Sequence, residues 1–194
     1  MKKLALVAAV MALVVVMSVS ASAQGKMFLN IGGDAMLPIG DWSDVTSLGI
    51  GGTVRFEYAF MPELHGTFTT GYWMFMGKEV NSVDLPNTNG IPILVGAKYY
   101  FMPAAKAKAR VYGAAELGLL IMSMGDKDLM YNGVKIGTIE GGSSTEFCLA
   151  PTVGVEFPIA DNGNLDISAK YLLITSDPTA SNIGFRLGYK FGLN

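Results

Sequence analysis

Few side chains in this 194-residue chain have types suited to chemistry: there is one histidine, His65, and one cysteine, Cys148. Nucleophilic catalysis needs a nucleophile, a base within hydrogen-bond reach and a group that orients the base. No loop supplies a Ser-His-acid set, and Cys148 falls on a face that would leave it a small packed thiol. A single cysteine also excludes an intrachain disulfide and any Cys-rich metal site. Gly49-Ile50-Gly51-Gly52 is not a phosphate loop, because no Gly-Lys-Ser/Thr follows it, so these glycines are expected to permit strand curvature. Gly40-Asp41-Trp42-Ser43-Asp44 could bind a cation or lipopolysaccharide, although Asx and Gly residues in a loop more often simply make turns. No catalytic, cofactor-binding or metal-binding residues are assigned, and the chain is read as a non-enzyme.

The charged residues are more informative, because ten of them fall on the faces opposite the apolar ones in segments that alternate with period two. They are Asp34, Arg55, Glu57, Lys98, Glu116, Glu156, Asp166, Lys170, Arg186 and Lys190. Period two is the signature of strands with two unlike faces. The composition agrees: 24 Gly, 8 Tyr and 10 Phe favour strands and turns. The chain is 51% apolar and 15% charged, with a formal net charge of -2, which rules against a disordered chain and against a nucleic-acid binder.

Part of that apolarity belongs to the start of the chain. Lys2 and Lys3 precede 14 apolar residues, Leu4 to Met17, and Ala21-Ser22-Ala23 follows. This is the pattern of a cleaved secretory signal peptide over residues 1–23. The apolar run is shorter than the roughly 20 residues a spanning helix requires. The mature chain would run over 24–194, with 12 basic and 16 acidic residues and a net charge of -4.

Eight alternating segments fill the mature chain: Met27 to Leu37, Gly49 to Phe60, Leu64 to Met76, Ile91 to Phe101, Val111 to Ile121, Phe147 to Phe157, Leu165 to Leu173 and Ile183 to Phe191. Trp73 and Phe75 blur the third, whereas the last is the cleanest, with Ile183, Phe185, Leu187, Tyr189 and Phe191 against Gly184, Arg186, Gly188 and Lys190. Each segment is about the 9–11 residues that a tilted strand needs to cross a bilayer. The pattern predicts an all-β fold, an eight-stranded antiparallel up-and-down transmembrane β-barrel. Its apolar faces lie in lipid and its ten charges in the lumen. The rival is a soluble lipocalin-like barrel, which would have an apolar inside and a polar outside.

Two asymmetries orient such a barrel. Tyr58 and Phe60, Tyr99 and Phe101, Phe157, and Tyr189 and Phe191 end alternate strands, as one aromatic belt requires. The connections at that end are short, and those at the other end, at 38–48, 77–90, 122–146 and 174–182, are mostly longer. Short periplasmic turns and long external loops are the expected arrangement.

Three stretches carry a family resemblance: Leu37-Pro38-Ile39-Gly40-Asp41-Trp42, Ile91-Pro92-Ile93-Leu94-Val95-Gly96-Ala97-Lys98-Tyr99-Tyr100-Phe101 and Val111-Tyr112-Gly113. They resemble the small outer-membrane beta-barrel domain family that includes the OmpX, OmpW and opacity-type proteins. The closing segment, with Gly184, Leu187, Tyr189 and Phe191, also looks like the carboxy-terminal signal read by the outer-membrane assembly machinery, although Gly192-Leu193-Asn194 extend past its last aromatic. The resemblance implies an outer-membrane location in a Gram-negative envelope and contact with outer-membrane lipid and lipopolysaccharide.

Eight strands leave an interior just wide enough for side chains to fill, so a general diffusion porin is not expected. The five basic and five acidic lumen residues are expected to neutralise one another, because unpaired buried charge is costly. The leading functional reading is a monomeric structural or surface-interaction barrel, presenting loops to a surface ligand. In the longest loop, Tyr131-Asn132-Gly133-Val134 is a hairpin signal that would project as a ribbon, offering an edge to which a partner strand could add or standing as a solvated hairpin with no partner. The alternative is an OmpW-like carrier of small hydrophobic molecules, with a pocket near the outer rim involving Trp73, Phe75, Leu120 and Met122. A lipid A modifying enzyme ranks below both.

Overall fold

The computed structural model describes residues 26–80, 83–102, 108–131, 134–176 and 179–193. The signal peptide expected over 1–23 lies outside the described residues. Eight long strands form a closed barrel: β1 (Met27–Ile39), β2 (Thr46–Ala59), β3 (Leu64–Gly77), β6 (Thr88–Tyr100), β7 (Arg110–Met124), β10 (Gly142–Ala160), β11 (Gly163–Ile174) and β12 (Ala180–Gly192). Two small hairpins, β4 (Glu79–Val80) with β5 (Val83–Asp84) and β8 (Lys127–Tyr131) with β9 (Val134–Ile139), form separate two-stranded sheets. A one-turn helix, α1 (Trp42–Val45), sits between β1 and β2.

Every barrel strand pairs antiparallel with its chain neighbours in the wall, and β12 closes on β1 from Phe28 opposite Gly192 to Ile39 opposite Ser181. Closure satisfies both edges of each strand, the condition for β-structure in a membrane. The eight expected strands are all present, most of them longer than their apolar alternation. The largest extension is β10, which pairs with β7 up to Gly142 opposite Met124.

The faces decide between the two barrel types. Ile31, Phe68, Tyr99, Val153, Phe185 and Leu187 point outward and are 42–64% exposed, whereas all ten charged residues of the alternating pattern point inward and are at most 5% exposed. A lipocalin-like barrel would reverse this arrangement. Trp73 and Phe75 are both fully buried and inward, so alternation in β3 is unbroken; its inner face has merely turned apolar.

Turns at one end are short, Asp161 and Asn162 alone joining β10 to β11, while the opposite end carries α1 and both small hairpins. At the short-turn end the outward Tyr58–Phe60, Tyr99–Phe101 and Tyr189–Phe191 rings pair at centroid distances of 5.1, 5.8 and 6.2 Å. The projecting hairpin is also present, with Tyr131 opposite Val134. Asn132 and Gly133, at its tip, lie outside the described residues.

Candidate functional site

The lumen has two chemically distinct layers. The inner one, toward the short turns, is built from inward positions of all eight strands and holds the charged residues. Lys98 on β6 is its hub: the ammonium donates to Glu57 at 3.0 Å and to Glu156, and lies 3.7 Å from Asp166. Lys190 on β12 donates to Glu156 at 2.8 Å and to Glu57 at 3.2 Å. It also donates to the Tyr100 hydroxyl at 2.6 Å, which in turn donates to Glu156 at 2.8 Å. His65 joins Glu57 at 3.2 Å and packs between Phe28 and Tyr100, with ring centroids at 5.5 and 4.9 Å.

A second group starts at Arg55 on β2. Its Nη2 lies 3.2 Å from Glu116, and its Nε donates to Thr69, whose hydroxyl donates to Glu116 at 2.7 Å. Arg186 donates to Asn30 at 2.8 Å and to Thr53 at 2.9 Å, and the Thr53 hydroxyl donates to Asp34 at 2.6 Å. Lys170 donates to the other Asp34 oxygen at 2.8 Å. Tyr112 and Asn30 both donate to Asp166, at 2.6 and 2.5 Å. Every predicted lumen charge thus meets an opposite charge, and neutral hydroxyl and amide groups link the pairs.

Glu57, Glu156 and Asp166 bring carboxylate oxygens within 4.8 Å of one another, a spacing that could hold a cation. The Lys98 ammonium already stands among all three. Charge balance is therefore achieved by side chains of the barrel itself.

The outer layer is apolar. Met36, Trp73, Phe75, Leu94, Leu120, Met122, Cys148, Leu172 and Ile174 form one buried cluster inside the wall. The four residues expected near the outer rim, Trp73, Phe75, Leu120 and Met122, belong to it together. Inward glycines make the room: a Cβ at Gly51 would stand 2.1 Å from the Tyr72 carbonyl and 2.6 Å from the Trp73 ring, and one at Gly49 would meet Phe75 at 2.6 Å. The Gly49–Gly52 run therefore admits two large rings to the lumen, a tighter requirement than curvature alone. Cys148 is fully buried here, its thiol directed to the Gly118 carbonyl at 3.7 Å. Trp42 of α1 covers the cluster from the loop side, edge-on to Phe75 at 6.0 Å.

The Gly40–Asp44 segment makes a turn and the α1 helix. Gly40 has φ of 67°, and its carbonyl accepts hydrogen bonds from the Ser43 amide and hydroxyl.

Closure, outward apolar faces, the aromatic belt and a charge-filled interior together describe a membrane-spanning barrel. The model of the outer membrane protein beta-barrel domain matches residues 7–191. The chain belongs to that family. Its localisation is accordingly the outer membrane of a Gram-negative envelope, and the short turns mark the periplasmic end of the barrel. No curated protein sequence matches the chain. Among solved structures, it resembles Neisserial surface protein A with a TM-score of 0.60 at 15% identity, over 85% of this chain and 96% of that one. Ail, the attachment invasion locus protein of Yersinia pestis, matches with a TM-score of 0.58 at 15% identity, over 88% and 100%. OprG from Pseudomonas aeruginosa matches with a TM-score of 0.62 at 14% identity, over 88% and 96%. At these identities the likeness establishes the shared barrel fold.

Proposed function

We propose that the protein is a non-catalytic, monomeric surface barrel, which anchors in the outer membrane and presents its external loops to a ligand or neighbouring surface. The observation that carries this reading is the contrast between a filled lumen and a built-up external end. The β7–β10 pair extends to Met124 and Gly142, the β8–β9 hairpin stands beyond it, and Lys127 ties that hairpin to the second loop by donating to the Leu85 carbonyl at 3.2 Å. Asp41, Asp44, Glu79, Asp84, Asp126, Asp128 and Glu140 lie at this end against Lys78, Lys127 and Lys135, so the presented surface is acidic and suits a cationic partner. Similarity to Ail, an attachment invasion locus protein by name, supports a role at the cell surface. Export by a signal peptide cleaved after Ala23, and assembly through the β12 segment ending at Phe191, complete the proposal.

Three strains test it: a deletion, the wild type, and a variant in which residues 125–141 are replaced by an Asn-Gly turn. Surface presentation predicts that the trimmed barrel retains heat-modifiable gel mobility but loses the adhesion conferred by the wild type. A purely structural role predicts that trimming changes nothing and that only deletion weakens the envelope against detergent.

A carrier of small hydrophobic molecules is the second reading. It is favoured by the apolar outer layer, where the Trp73 Nε1 and both polar atoms of Asn182 are buried without a hydrogen-bond partner. It predicts conductance in planar bilayers that is blocked by apolar solutes. The surface-barrel reading predicts neither conductance nor a solute effect.

A further inference from the structure

The lipid-facing wall contains a groove of about 760 Å³ that crosses β11, β12, β1, β2 and β3. Its floor is Gly33 and Ala35 on β1, and its banks are Phe185 and Leu187 on one side and Tyr72 and Met74 on the other. Phe185, Leu187 and Tyr72 are each 50% exposed or more, so these banks stand in the membrane and not in the lumen.

The glycine on the floor has no steric cause within the barrel. At the inward Gly71, Gly96 and Gly118 a Cβ would come within 2.1–2.2 Å of backbone oxygen, so those positions admit no side chain. At Gly33 a Cβ would meet only the Gly51 carbonyl, at 3.9 Å, and at its cross-strand partner Gly52 only the Gly32 carbonyl, at 3.6 Å. Neither has positive φ, which among the described glycines occurs at Gly40. Glycine within a strand costs stability relative to alanine, and the barrel bears that cost twice in one cross-strand pair where a side chain would fit. What a side chain at Gly33 would occupy is the groove.

We infer that this groove holds a saturated acyl chain of lipid A. The medium around the wall is hydrocarbon, and the two charged residues that border the groove, Asp34 and Arg186, are at most 5% exposed and are engaged by Lys170 and Asn30 in the lumen. From its floor at the middle of β1 it rises toward the external ends of β2 and β3, on the side of the leaflet that contains lipopolysaccharide. Its volume lies in the range of roughly 300–1,000 Å³ typical of single-ligand sites. A second barrel would instead require a broad, complementary surface of about 800 Å² per partner, which a concave slot does not offer. The protein's contact with outer-membrane lipid thereby becomes a defined seat on one side of the wall, flanked by aromatic side chains.

The test compares the wild type with Gly33→Leu/Ala35→Leu, which fills the floor, and with Ala115→Leu, which adds the same kind of bulk to the outward face of β7 on the opposite wall. Each full-length barrel is extracted from outer membranes in mild detergent, its folding verified by gel mobility, and its retained lipid identified by native mass spectrometry. The wild type and Ala115→Leu should retain lipid A, and the filled variant should retain about ten-fold less, a difference equivalent to about 1.4 kcal/mol of binding. Equal retention by all three overturns the inference, as does loss in Ala115→Leu or retention of phospholipid alone. A wild-type dimer that the filled variant dissociates, with lipid A unchanged, identifies a second copy as the occupant and also overturns it. If the filled variant fails to fold, Gly33→Ala, which the wall accommodates, should show a smaller loss in the same measurement; unchanged retention there overturns the inference.

Discussion

The two layers of the lumen obey the same alternation yet are stabilised by opposite means. In the inner layer, Lys98, Lys190, Arg55 and Arg186 are held by carboxylates, hydroxyls and an amide. In the outer layer Trp73, Phe75, Leu120 and Leu172 fill the same cross-section with hydrocarbon. The boundary is marked by Lys170, which donates to Asp34 at 2.8 Å while its ammonium lies 4.9 Å from the Trp73 ring centroid. The comparison teaches that a narrow barrel need not be wet to be stable: closure satisfies the backbone, so its interior can be either a salt network or a dry core.

Removing one member of the network should separate the layers most sharply. Lys98→Met leaves Glu57 and Glu156 with less compensation and is expected to destabilise the barrel by about 3–5 kcal/mol. This would be measured by guanidinium unfolding of the refolded protein, following the folded gel band. Leu120→Ala, in the outer layer, should cost about 3 kcal/mol through lost burial and the cavity left behind. Leu120→Met should cost less than about 1.5 kcal/mol in the same assay, because an apolar core tolerates a volume-conserving exchange. Introducing the same residue, methionine, is therefore severe in one layer and mild in the other; equal losses would erase the distinction.

The smallest effect lies outside the membrane, in the exposed β8–β9 hairpin. There the Lys135 ammonium and the Thr138 hydroxyl hold the Asp128 carboxyl below its ordinary range. A carboxyl whose folded-state pKa is depressed contributes stability above its unfolded pKa of about 3.9 and loses it as pH falls through the folded value. Amide protection factors in the hairpin, corrected for the intrinsic exchange rate at each pH, should therefore fall as the pH is lowered below about 4. Asp128→Asn should remove that dependence while leaving barrel unfolding unchanged.

The barrel was legible because a bilayer enforces a simple rule: outward residues must be apolar, so a charge at every second position reveals both the strand and its face. Asp34, Arg55, Glu57 and Lys98 all stand where that rule places them. The same rule is silent wherever the inward face is apolar too. Leu94, Leu120 and Met122 have the hydropathy of their lipid-facing neighbours, and Trp73 and Phe75 blur the alternation of their segment. Pairing within the inner layer was hidden for another reason, since partners such as Asn30 and Arg186 are 156 residues apart and meet only through barrel closure and stagger. The β4–β5 strands, two residues each, are too short to establish any period.

The chain has only two tryptophans, and the fold gives each a different post. Trp73 is sealed in the dry half of the lumen, whereas Trp42 sits on the helical turn at the external mouth, edge-on to Phe75. They are built-in optical reporters of separate events: Trp73 reports the moment the cylinder closes, and Trp42 the docking of the first loop over it. Single-tryptophan variants, Trp42→Phe and Trp73→Phe, would let insertion be followed in real time as two distinct emission shifts.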